Sequence, residues 1–102
     1  MTFSNAISDL ATGYACKRPS WRGYVYRDNI TAATGDESEK YDIVFVNKAG
    51  TKFTYPYDTS STLNEYSKFT KELVTAMKAD DWITGAKADF ELARDGSAEG
   101  DF

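Results

Sequence analysis

The stretch YDIVFVNKAGTKFTYPY, residues 41–57, leaves the backbone little choice. Tyr41, Ile43 and Phe45 alternate with Asp42, Val44 and Val46, and after Asn47-Lys48-Ala49-Gly50 the residues Thr51, Phe53, Tyr55 and Tyr57 fall on one face. Strand side chains alternate between faces with a period of two, and aromatic and β-branched residues suit a half-buried pleat, so the spacing predicts an antiparallel hairpin. Gly50 fits the left-handed position of a four-residue hairpin loop. Pro56 has no amide hydrogen for a ladder, so the second strand ends there or lies at a sheet edge.

The flanking sequence supplies helices and further strands. Phe3, Ala6, Ile7, Leu10 and Ala11 recur at helical spacing, with Thr2 as N-cap and Gly13 as left-handed stop, which predicts a short helix over about residues 3–12. YACKRPSWRGYVYRDN reads as two extended segments separated by PSWRG, where Pro19 biases Arg18 towards extended geometry and Gly23 can take a positive φ. ITAATGDESE reads as an exposed acidic loop.

Thr62 and Glu65 have capping-box spacing, and Leu63, Tyr66, Thr70, Leu73 and Met77 follow in a helical stripe, which predicts a longer helix near residues 63–79. Trp82-Ile83 reads as a short strand returning to the sheet. Beyond it Ala86, Ala88, Phe90 and Leu92 alternate as in a strand while the residue types favour helix, so an added edge element is expected, with a loose end beyond Asp95. The expected fold is α+β, with a small antiparallel sheet of four to five strands. It forms a single domain over residues 1–95, and residues 96–102 are a flexible C-terminal end.

Composition narrows the chemistry. The chain has 102 residues and a net charge of −4, which disfavours direct nucleic-acid binding through phosphate neutralisation. Lys17, Arg18, Arg22 and Arg27 nevertheless form a local basic group. Histidine is absent, which removes the commonest general base and metal ligand. Cys16 is the only cysteine, so no intrachain disulfide can form and a reducing compartment fits best. No signal segment or membrane-spanning apolar run is visible. Asp80-Asp81 lacks a nearby third ligand, so neither a metal nor a cofactor is expected, and nothing specifies an enzyme.

The stretch RPSWRGYVY, residues 18–26, has two readings. Trp21 is either a hydrophobic plug over the sheet end or a platform on which a nucleobase stacks. Arg18, Arg22 and Arg27 either clamp phosphates or balance acidic neighbours. Tyr24 and Tyr26 share one strand face, as do Tyr55 and Tyr57. If both pairs line one cavity they supply flat walls and hydroxyl donors; otherwise they are aromatic pairs stabilising the sheet. Asp81 is a candidate acceptor for a ribose hydroxyl, and Cys16 is either a plain buried thiol or one activated by Lys17.

The two ends of the chain resemble a family of small phage proteins. MTFSNAISDLATGYACKRPSW with the following Gly23 is similar to that family's opening, a helix with apolar Phe, Ala and Leu leading into Gly, a strand, and an Arg–Trp–Gly turn. ADDW, residues 79–82, is similar to its terminal Asp-Trp element. This is the second Thoeris anti-defence family, whose members sequester cyclic ADP-ribose type signals, and some of which also hold cyclic dinucleotides; one relative was isolated as an inhibitor of a CRISPR nuclease. The resemblance implies a compact α+β homo-oligomer, dimer or tetramer, with pockets between subunits.

It also implies Trp21 as the stacking residue, Arg18 and Arg22 as local positive charge, Tyr24 and Tyr26 as aromatics after the glycine, and Asp81 and Trp82 as a pocket edge. The chain departs from the family in continuing about twenty residues past Asp-Trp. The expected function is therefore phage anti-defence in the host cytoplasm, without an enzymatic step or a membrane. Its ligand is a cyclic nucleotide held by Arg18, Trp21, Arg22, Tyr24, Tyr26, Arg27, Tyr55, Tyr57, Asp81 and Trp82. The rival expectation is an anti-CRISPR type inhibitor, whose acidic surface blocks the nucleic-acid channel of a bacterial defence protein.

Overall fold

A computed structural model of the chain describes residues 1–10, 13–31, 34–35, 40–58, 71–94 and 102. In chain order the elements are α1 (Phe3–Asp9), β1 (Tyr14–Lys17), β2 (Tyr24–Thr31), β3 (Lys40–Val46), β4 (Lys52–Asp58), α2 (Lys71–Met77), β5 (Ile83–Ala86) and α3 (Lys87–Ala93). The strands form one antiparallel sheet in the order β4-β3-β2-β1-β5, so the fold is α+β, with five strands and three helices among the described residues.

The hairpin at residues 41–57 forms in the register its alternation demands, with Tyr41 opposite Tyr57, Ile43 opposite Tyr55 and Phe45 opposite Phe53. Its loop is closed by the Asn47 side chain, whose Oδ1 accepts the amides of Ala49 and Thr51 at 3.0 and 2.9 Å. Gly50 takes the left-handed conformation expected of it, φ 89°. β4 continues through Pro56 and lies at the sheet edge, where a missing ladder donor is tolerated.

Both faces of the sheet are covered. On one, Val25, Ile43 and Phe45 meet Phe3, Ile7, Leu73 and Met77 of α1 and α2, joined by Trp21, Trp82 and Phe102. On the other, Ala15, Tyr24, Tyr26, Val44 and Val46 pack with Phe90 of α3. Lys87 and Lys52 lie 4.1 and 6.0 Å from the Tyr26 ring centre, and Lys17 lies 5.6 Å from that of Phe90, so lysine side chains also cover this face.

Three expectations change. α1 is capped by Thr2, whose side chain accepts the Asn5 amide at 3.2 Å, but it ends before Gly13: Leu10 turns into extended backbone so that its side chain enters the core. Gly23 does not adopt a positive φ; its glycine requirement is steric, because a Cβ there would lie 2.1 Å from the Val46 carbonyl oxygen. The ambiguous segment after Trp82 is both things in turn. β5 pairs with β1, and Lys87–Ala93 then follows its helix-favouring composition, burying Phe90 in part while Leu92 stays 85% exposed.

Of the segment read as a loose end, residues 96–101 lie outside the described residues, and Phe102 is 1% exposed. Of the helix expected near residues 63–79, Lys71–Met77 is helical. Residues 63–70 and the capping box at Thr62 and Glu65 lie outside the described residues, as does the acidic run 36–39.

Candidate functional site

Local chemistry explains the shape of RPSWRGYVY. The Trp21 amide donates to the Arg18 carbonyl at 3.0 Å, closing a turn with Pro19 at its second position, where a fixed φ is preorganised. The turn sends the indole down over the end of the sheet. Trp21 is 4% exposed, in edge contact with Trp82 (centroids 5.2 Å, interplanar angle 78°) and tilted against Phe102 (5.0 Å, 30°). Of the two readings of Trp21, this geometry is that of the plug.

Trp82 is 1% exposed, packs 4.9 Å from Phe3, and donates its indole N–H to the Ala76 carbonyl at 2.9 Å. It ties the start of β5 to α2 instead of lining an open edge.

The basic group does not converge. Arg18 points to Asp81 and makes a two-pronged contact, Nε to Oδ1 at 2.9 Å and Nη2 to Oδ2 at 3.2 Å. Arg27 instead donates to the Leu10 carbonyl and lies 4.6 Å from the Tyr41 ring centre, on the helix-covered face. Arg22 acts on Lys17, whose ammonium is pushed below its ordinary range first by burial and then by that guanidinium.

The tyrosines do not share a cavity either. Register places Tyr24 opposite Val46 and Tyr26 opposite Val44, on the face covered by α3, whereas Tyr55 lies opposite Ile43 and packs on the helix-covered core. A face is set by parity along the strand, so no adjustment of rotamers brings the two sets together. Tyr57 pairs with Tyr41 through the backbone, and its side chain lies outside the described residues. Burial and then the Glu91 carboxylate raise the Tyr24 phenol above its ordinary range.

Cys16 is fully buried, and burial pushes its thiol far above the ordinary range, so it cannot act as a thiolate nucleophile in this fold. Among the described residues no three His, Cys, Asp or Glu side chains come together as a metal site. No described helix is long and apolar enough to cross a membrane.

What the fold does bring together is a cleft beside the turn, about 760 Å³, lined by Arg18, Ser20, Trp21, Lys71, Glu72 and Thr75. Its volume falls within the range typical of small-molecule sites, and its wall mixes two cations, the Glu72 carboxylate, two hydroxyls and an aromatic edge. Ser20 lies inside the motif already singled out. Lys71 and Thr75 are four apart on α2 and outside its apolar stripe, a spacing that could have marked them as one outward face.

Arg18 and Asp81 set the electrostatics of the cleft rim. The Arg18 hydrogen bond holds the Asp81 carboxyl below the usual carboxylate range, so this pair stabilises the fold above that range and loses its effect as pH falls through the depressed value. With side chains 27% and 44% exposed, its contribution is under about 1 kcal/mol. Asp81→Asn should therefore lower stability slightly at pH 7. The gap from the parent chain in denaturant unfolding should close on acidification; a gap independent of pH would show that the carboxylate is not responsible.

Comparison with protein families, with curated proteins and with solved structures found no match to the chain.

Proposed function

We propose that the chain is a non-enzymatic phage anti-defence protein that binds a cyclic nucleotide immune signal, of cyclic ADP-ribose or cyclic dinucleotide type, and sequesters it in the host cytoplasm. The observation that carries this reading is the cleft at Arg18, Ser20, Trp21, Lys71, Glu72 and Thr75, where two cations, two hydroxyls and an aromatic edge converge, with one carboxylate, beside a turn that resembles a family of such binders. The chain has no histidine and its one thiol is buried, which favours holding a ligand over cleaving it.

In this reading Lys71 and Arg18 face the anionic part of the ligand, and Ser20 and Thr75 donate to its oxygens. Arg18 is already engaged by Asp81, so Lys71 carries the larger share of the new charge contact. Sequestration needs no turnover, because a tight and abundant binder lowers free signal by mass action.

The test is retention. The purified chain is incubated with cyclic ADP-ribose isomers and cyclic dinucleotides, freed of unbound ligand, denatured by heat, and the supernatant is analysed by mass. Intact nucleotide is expected. Lys71→Ala, at an exposed position, should fold normally and hold ligand at least about tenfold more weakly, the cost of one hydrogen bond to a charged group. Recovery of a linearised product would identify an enzyme instead, and recovery of nothing from the panel would end the proposal.

A further inference from the structure

Arg18 reaches the cleft with one edge of its guanidinium already in use. Its Nε and Nη2 atoms donate to the two Asp81 oxygens at 2.9 and 3.2 Å, and Asp81 itself is not part of the cleft wall. A planar guanidinium carries five N–H groups in a fixed fork, so this side-on pairing leaves both Nη1 protons and the second Nη2 proton outside it. Those protons include the end-on edge, whose spacing matches two oxygens of one phosphate group.

Both partners start from fixed backbone. The last ladder pair of β1 and β5 is Lys17 opposite Ile83, and Arg18 meets Asp81 just beyond it. The Arg18 carbonyl accepts the Trp21 amide at 3.0 Å. Next to Asp81, the Trp82 amide donates to the Met1 carbonyl at 3.0 Å and the Trp82 indole to the Ala76 carbonyl. The two-pronged contact therefore sets where the guanidinium lies. Because so exposed a pair adds little to folding, its main consequences are orientation and charge.

The charge is balanced. The two cations of the wall, Arg18 and Lys71, are matched by two carboxylates, Glu72 in the wall and Asp81 behind it. A site balanced in this way does not concentrate polyanions, and it rewards a ligand whose charge sits where the donors point.

We propose that Asp81 is a positioning residue that sets the specificity of the cleft. It presents the end-on edge of Arg18 to a phosphate group bearing a single charge, as each phosphorus of a cyclic nucleotide does. By offsetting the Arg18 charge it also disfavours nucleotides with a terminal, more highly charged phosphate. Asp81 thus acts through Arg18 and not as an acceptor for a ribose hydroxyl. The ligand step rests on the binding function proposed above; the positioning of Arg18 does not.

The test compares the parent chain with Asp81→Asn and Asp80→Asn. Asp80 is the exposed neighbour, and its neutralisation changes the net charge equally while leaving the Arg18–Asp81 contact in place. Dissociation constants are measured for cyclic ADP-ribose, cyclic di-AMP and adenosine triphosphate, and the Arg18 Nε–H signal of each free protein is followed by NMR.

The parent should prefer the better-bound cyclic nucleotide to the triphosphate. In Asp81→Asn that preference should fall at least about tenfold, the effect of misplacing one charge-assisted hydrogen bond. Its Arg18 Nε–H signal should also move and exchange faster with water. Asp80→Asn should keep both the preference and the signal.

An equal loss of preference in the two variants would make net charge the cause. An unchanged preference in Asp81→Asn, with cyclic nucleotide still bound, would leave Asp81 no part in selection. Either result overturns the inference while the binding function stands, and an Nε–H signal unmoved by Asp81→Asn overturns the positioning. A parent that binds neither cyclic nucleotide overturns the ligand step, and the Nε–H comparison still decides whether Asp81 holds Arg18.

Discussion

Trp21→Ala is expected to lower the unfolding free energy by about 3–5 kcal/mol, the usual cost of truncating a buried large aromatic. The indole is 4% exposed and is held between Trp82 and Phe102, so its loss opens a void that three chain segments must collapse around. In a domain of ordinary stability, about 5–15 kcal/mol, such a change leaves little margin. Thermal unfolding should show it as a fall of well over 10 °C, at roughly 4–8 °C per kcal/mol for a domain of this size.

Trp21→Phe keeps part of the ring contact and should lose less. If Trp21→Ala left the melting temperature nearly unchanged while abolishing ligand retention, the indole would be a binding platform and its burial here incidental. The structure argues otherwise, and it follows that Trp21 variants are poor tests of function: binding and folding fail together. Lys71→Ala separates them.

Gly23→Ala should be at least as damaging. The added methyl would sit 2.1 Å from the Val46 carbonyl oxygen and 3.2 Å from the Phe102 main-chain oxygen, and both neighbours are backbone. Relief requires β2 and β3 to separate at the Tyr24–Val46 pair, or the 18–23 turn to move. Either costs on the order of 3 kcal/mol or more, at the upper end for a single substitution. Denaturant unfolding measures it directly. An alanine variant with parental stability would mean that the close approach of Gly23 to β3 does not exist in solution.

The fold was legible where a period governs burial. The hairpin at 41–57, the stripe of α1 and the extended pair around PSWRG all follow from alternation or helical spacing, and each forms near its expected bounds. The returning strand expected at Trp82-Ile83 was legible in part: it begins at Ile83 and runs on to Ala86, with Trp82 before it in the core. What composition could not rank was the segment after Ala86, where strand alternation and helix propensity compete. There the sheet offers α3 one anchor, Phe90, and leaves Leu92 in solvent.

The site was less legible, for reasons of geometry. Arg18 and Arg27 are close in sequence, yet the turn sends the first to Asp81 and the parity of β2 sends the second to Leu10. Tyr24, Tyr26 and Tyr55 are all strand aromatics, but opposite parity puts them on opposite faces. Conversely, Lys71 and Thr75 reach the cleft from a helix about fifty residues away, and Phe102 reaches Trp21 from the far end of the sequence. Such long-range partnerships depend on sheet order, which local patterns do not carry.

The central claim is that the cleft beside Trp21 is the ligand site. It is tested most directly by titrating the cyclic nucleotide panel into isotope-labelled protein and following the backbone and indole N–H signals by NMR. The account predicts saturable shifts centred on Ser20, Trp21, Arg22, Lys71 and Thr75, with the Tyr26 and Lys87 region on the opposite face unmoved. Shifts centred on that opposite face, or no saturable shift with any nucleotide of the panel, would contradict it.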